Sequence, residues 1–101
     1  MVNTVMNAYF CDAGEHEATV ETIDYWERRE IVGIVDVVVA KTRGQAKMLF
    51  IDANQDAYID WCTPMSIRKI EDGIDEFTPH VVRYGDALYF ELWRKVQEMF
   101  D

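Results

Sequence analysis

Two cysteines, two prolines and two histidines are all that the 101 residues hold of those types, and each scarcity removes a class of protein. Cys11 and Cys62 are too few and too far apart for a disulfide framework, and they read as packed thiols in a reducing cytosol. With His16 and His80 they supply four soft ligands whose spacing matches no zinc signature. Pairing Cys62 with His80, or Cys11 with His16, assembles no base, nucleophile and oxyanion site. The expectation is a non-enzymatic protein without a cofactor. Long apolar runs are missing too. The longest is bounded by Asp36 and Lys41 and falls far short of the roughly 20 residues of a membrane span. MVNTVMNAYF lacks a basic stretch ahead of an apolar core, so it does not read as a signal peptide. A cytoplasmic protein without membrane contact is expected.

Positive charge is the scarcest ordinary commodity. Ten Lys and Arg face nineteen Asp and Glu, giving a net charge of −9. Residues 1–40 carry −6, residues 41–70 carry +2 and residues 71–101 carry −5. That layout argues against a general nucleic-acid binder, which needs a basic face to neutralise phosphates. It suits a partner with a basic surface.

What the chain does have is apolar periodicity. Half the residues are hydrophobic and 13% are aromatic, enough for one folded domain over 1–101 with no room for a second core. Residues 4–11 read as a strand ended by an Asp12-Ala13-Gly14 turn, residues 20–26 as a second strand, and residues 27–30 as a polar turn. Residues 31–40, IVGIVDVVVA, are the strongest strand, and their nearly continuous apolar character places them centrally, buried on both faces. Thr42 and Gln45 form a capping-box pattern ahead of a helix at 43–53, with Ala46, Leu49, Phe50 and Ala53 on one side. After Pro64 comes a strand at 65–70, then an Asp72-Gly73 turn and a strand at 80–84. Asp86 caps a last helix at 87–100 whose stripe is Leu88, Leu92, Val96 and Met99. The fold class is therefore α+β, a small antiparallel or mixed sheet of three to five strands packed by two helices.

Three constellations carry chemical possibilities. The run from Asp52 through Asn54, Asp56 and Asp60 places oxygen side chains like a calcium loop. Ala57 replaces the turn glycine, however, and Thr63 replaces the bidentate glutamate, so a polar connecting loop is the stronger reading and no metal is expected. Lys41, Arg43 and Lys47 surround a helix start, where exposed amides and the dipole favour anions; Arg68 extends that set in sequence, although strand alternation sends Arg68 and Lys69 to opposite faces. The third is acidic and aromatic. Glu15, Glu17, Glu21, Glu27, Asp72, Asp75 and Glu76 cluster in predicted turns and edges, with Trp26 and Trp61 as exposed anchors beside charge.

The segment VVVAKTRGQAKMLF, followed after a loop by SIRKI, resembles small uncharacterised proteins encoded by tailed phages and prophages. The matching residues are Ala40, Thr42, Arg43, Gln45, Ala46 and Lys47, then Ile67, Arg68, Lys69 and Ile70. The likeness covers about a third of the chain, leaves out the acidic flanks, and transfers no catalytic residue. It implies a setting, a phage accessory protein inside a bacterial host cell. The functional expectation is an acidic protein that binds a host protein with a basic surface, as a DNA-mimic-type, anti-CRISPR-like inhibitor of a nucleic-acid-handling complex. Nucleic-acid binding through Lys41, Arg43, Lys47 and Arg68 is the alternative, and a homo-oligomer formed through spare aromatic surface is compatible with both.

Overall fold

Alternating apolar residues build a sheet that needs cover on both sides, and the chain supplies one helix for each. The computed structural model describes residues 5–21, 27–57, 59–76 and 78–100, with the backbone alone at 18–21, 27–29 and 56. The elements are β1 (Met6–Glu21), β2 (Glu27–Ala40), α1 (Arg43–Ala53), a 3-10 turn at Gln55–Ala57, β3 (Ser66–Ile74), β4 (His80–Val82) and α2 (Tyr89–Phe100). The four strands form one antiparallel sheet in the order β3-β1-β2-β4. The expected α+β class and the central place of β2 both hold.

Period two sorts the core into two layers. Tyr9, Cys11, Val38 and Ala40 meet Ala46, Phe50 and Ile51 of α1 on one face. Met6, Ala8, Phe10, Val37 and Val39 meet Leu92 and Val96 of α2 on the other. The Thr42 cap at α1 is present, with the return bond one residue earlier than in a capping box: Gln45 N–H donates to Thr42 Oγ1 at 3.1 Å, and the Gln45 amide oxygen accepts from Lys41 N–H at 2.8 Å. Of the expected α1 stripe, Ala46 and Phe50 are buried; Ile51 joins them, while Ala53 faces solvent.

Several boundaries differ from expectation: β4 stops at Val82 rather than at residue 84, and α2 begins at Tyr89 rather than at residue 87. The Asp12-Ala13-Gly14 turn does not end the first strand. Gly14, with φ of 78°, absorbs an extra residue as a β-bulge, the Asp12 carboxylate accepts its N–H at 2.8 Å, and pairing resumes. Residues 27–30 are strand rather than turn: Arg28 and Arg29 pair in the ladder with Val20 and Thr19. The Asp72-Gly73 turn is likewise taken into β3, where irregular register at Met6–Tyr9 accommodates it. Of the separate strand expected at 20–26, residues 20 and 21 form the end of β1, and residues 22–26 lie outside the described set.

The lengthened hairpin sets the shape. β3 pairs with β1 only over Met6 to Asp12, and β4 pairs with β2 only over Val37 to Val39. Beyond those limits β1 and β2 run on alone, Gly14 with Ile34 through Glu21 with Glu27, for about 25 Å at a strand's rise per residue. The molecule measures 52 × 29 × 28 Å, and its radius of gyration of 14.7 Å exceeds the roughly 13 Å of a compact chain this long.

Candidate functional site

The arm made by these two strands is half covered. On the α1 side its base is closed by Ala57 and Ile59, which pack with Ala13 and Ile34 in the α1 layer. On the α2 side no element described reaches it. Alternation through the ladder puts Asp12, Glu15 and Glu17 of β1 beside Val35, Gly33 and Ile31 of β2 on that side. Ile31 is 65% exposed and Val35 40%, so a column of carboxylates runs alongside a column of bare β-branched side chains. Sequence reasoning expected residues 31–40 to be buried on both faces; this is true of Val37–Ala40 and untrue of Ile31 and Val35, because α2 packs over Val37 and Val39 and no described element covers that face farther out.

The other acids fall elsewhere. Glu21 and Glu27 face each other in the ladder at the outer end of the arm. Asp72 lies near the far end of β3, where Ile74 pairs with Met6, and it holds Lys69 at 2.9 Å. Asp75 and Glu76 follow in the connection to β4. The two acidic groups therefore occupy opposite ends of the long axis rather than one continuous surface. Trp61 is 55% exposed, with Lys47 Nζ 4.9 Å over its ring and donating to its carbonyl at 2.9 Å. Trp26 lies outside the described residues.

The basic set is divided as well. Lys41 and Arg43 are exposed at the start of α1, Lys47 is committed to Trp61, and Arg68 sits opposite Phe10, whose side chain packs in the α2 layer. Lys69 lies on the α1 side, near enough to Arg43 for their charges to interact. Sequence reading missed that pair; alternation along β3 was the signal that could have found it.

The calcium-like run is otherwise employed. Asp52 is inside α1, and the Asn54 amide donates to Asp36 at 2.8 Å and to the Phe50 carbonyl at 2.9 Å. Asp60 Oδ1 accepts from Cys62 N–H at 2.8 Å and Thr63 N–H at 3.1 Å, closing a local turn. The Asp56 side chain is outside the described set. Among the described residues no three of His, Cys, Asp or Glu are grouped to hold a metal ion.

Two titratable clusters brace the body. Asp36, 4% exposed on β2, has Arg83 at 3.3 and 3.4 Å and the Asn54 amide against its carboxylate, which ties β2, the end of α1 and the exit of β4 together. Burial raises its pKa above the usual carboxylate value, against the opposing pull of Asn54 and Arg83. Burial, with the Asp36 charge added, pushes the neighbouring Cys11 thiol up to about 12, which makes it inert. Cys62, expected to be packed, is exposed. His80 has Nδ1 2.7 Å from the Thr78 carbonyl and Nε2 2.7 Å from Asp86, whose other oxygen accepts the Leu88 N–H at the start of α2. Both ring nitrogens face acceptors, an arrangement only the imidazolium satisfies. Burial lowers its pKa, but the Thr78 and Asp86 hydrogen bonds and the charges of Asp86 and Glu76 outweigh it and hold the ring above its ordinary value. His16 Nε2 lies 2.7 Å from the Ala13 carbonyl at the bulge.

No family model, curated protein or solved structure matches this chain. No helix among the described residues is long and apolar enough to cross a membrane.

Proposed function

We propose that this is a non-enzymatic binding protein whose arm docks a protein partner with a basic surface. The observation that carries the reading is the bare side of the arm, where Asp12, Glu15 and Glu17 stand beside exposed Ile31 and Val35. Apolar contact gives such a surface affinity, and the carboxylates give fast, salt-sensitive association. In the bacterial, phage-encoded setting suggested by the sequence resemblance, the partner is a nucleic-acid-handling protein whose phosphate-binding groove the carboxylates occupy, as an anti-CRISPR-like inhibitor would. The separation of the acids narrows the mimicry to the arm, with Glu21 and Glu27 at its outer end, and leaves Asp72, Asp75 and Glu76 out of it.

The test is a pull-down from bacterial lysate with wild type and a Glu15→Lys/Glu17→Lys variant, washed in steps of rising salt. The reading expects a basic nucleic-acid-handling protein that is retained by wild type, released by salt and lost from the variant. Equal retention by both overturns the arm as the site. The alternative, nucleic acid held by Lys41, Arg43, Lys47 and Arg68, predicts a gel shift at low salt that a Lys41→Glu/Arg43→Glu variant abolishes.

A further inference from the structure

A glycine inside a regular strand carries a cost, because it holds no side chain to pack and loses more freedom on folding than any other residue. Gly33 stands at such a position, midway along the bare column of the arm, with Ile31 and Val35 on either side and Glu15 opposite. The fold gives no reason for it. Gly14, Gly73 and Gly85 hold φ of 78°, 67° and 103°, where a side chain is strained, but the φ of Gly33 is not positive. A Cβ built there meets nothing within 4 Å, so a β-branched residue would fit and would suit the ladder better. What the glycine does provide is room. Residues two apart on one side of a strand lie about 7 Å apart, so Ile31 and Val35 wall a gap one side chain wide whose floor is backbone. Strand glycines often mark the place where a ligand approaches the backbone closely.

We propose that this gap takes one arginine side chain of the partner, its stem lying over Gly33 between Ile31 and Val35 and its guanidinium on Glu15. The inference deepens the docking surface proposed above and rests on it: Gly33 and Glu15 become the point where the basic partner is anchored. Charge and polarity select the occupant. The walls are apolar, with Ile31 65% and Val35 40% exposed, while the side facing β1 is open to Glu15 directly across the ladder and to Asp12 and Glu17 diagonally. Glu15 is exposed and holds no cation among the described residues. An occupant must therefore be apolar along its stem and positive at its tip, which describes the long basic side chains. Arginine fits better than lysine. Its guanidinium can offer a carboxylate two parallel N–H donors, and it sheds water more readily than an ammonium when brought against apolar walls.

The probe is acetyl-Val-Arg-Val-amide, with its lysine and citrulline counterparts, titrated into the tens of millimolar against the isotope-labelled full chain. The arginine peptide is expected to move the amide signals of Glu15, Ile31, Gly33 and Val35, and uncharged citrulline to leave them in place. Gly33→Val, which fills the gap, is expected to weaken the arginine peptide about tenfold or more, with a melting temperature equal to or above that of wild type. Gly33→Ala, a smaller plug, is expected to fall between the two. Shifts that are absent with the arginine peptide, that lysine or citrulline reproduces in full, or that persist unweakened in Gly33→Val overturn the proposal. The lysate pull-down separates this failure from a failure of docking at the arm. Protein lost from Glu15→Lys/Glu17→Lys but kept by Gly33→Val leaves the arm as the site and removes the arginine anchor; protein kept by both variants removes the arm as well.

Discussion

The β1–β2 hairpin is two structures on one ladder. Over its inner half, Asn7 to Asp12 with Val35 to Ala40, most side chains are enclosed between α1 and α2; over its outer half the same pairing continues with one side bare. Backbone pairing is therefore common to both halves, and burial is what separates them. The lesson is that β-branched residues specify extended backbone and leave open whether anything packs on it.

The largest effect should fall on the inner half. Phe50→Ala opens a cavity between α1 and the sheet and is expected to cost about 3–5 kcal/mol in urea unfolding, whereas Ile31→Ala on the outer half should move stability by about 0.5 kcal/mol or less. Equal losses would mean that the arm is packed as tightly as the body. Next, Asp36→Ala removes the acceptor shared by Asn54 and Arg83 and should cost about 2 kcal/mol.

The pH dependence sharpens the same contrast, because its groups lie in the body. His80 has its folded pKa raised, so its contribution is full below the unfolded value of about 6.5 and is lost as pH rises through the folded value. Stability of wild type should fall across that interval, and His80→Gln should flatten the profile without altering exchange in the arm. Asp36 has the same sign at lower pH: its raised pKa means that protonation relieves a buried charge, so acid costs this site nothing. Lys47→Ala is expected to cost about 0.5 kcal/mol from the cation–π contact, with a shift in Trp61 fluorescence as its readout.

How much of this was legible follows the range of the interactions. Helix α1 and its cap were readable because Thr42, Gln45 and the 3,4-spaced apolar residues lie within one another's reach, and Asp86 marked the start of α2 for the same reason. The two layers were implied by alternation, although the number of strands covering β2 was not. The arm was hidden because Asp12-Ala13-Gly14 is spelled like a turn, and only the long-range pairing decides between turn and bulge. Splitting the acids into two ends required the same information, since Ile74 meets Met6 across most of the chain.

The strand order also bears on how the chain folds. β1 and β2 are joined by a short connection and can zip together on the microsecond scale of hairpins, whereas β3 must find Met6 from Ile74 and β4 must find Val37 from Val82. The hairpin is thus the natural template, and the helices and edge strands condense on it afterwards. Substitutions at Val38 or Tyr9 should then slow folding, while those at Val82 or Leu92 should mainly hasten unfolding. Seen in time rather than in space, the segment that ends most exposed belongs to the element that forms first.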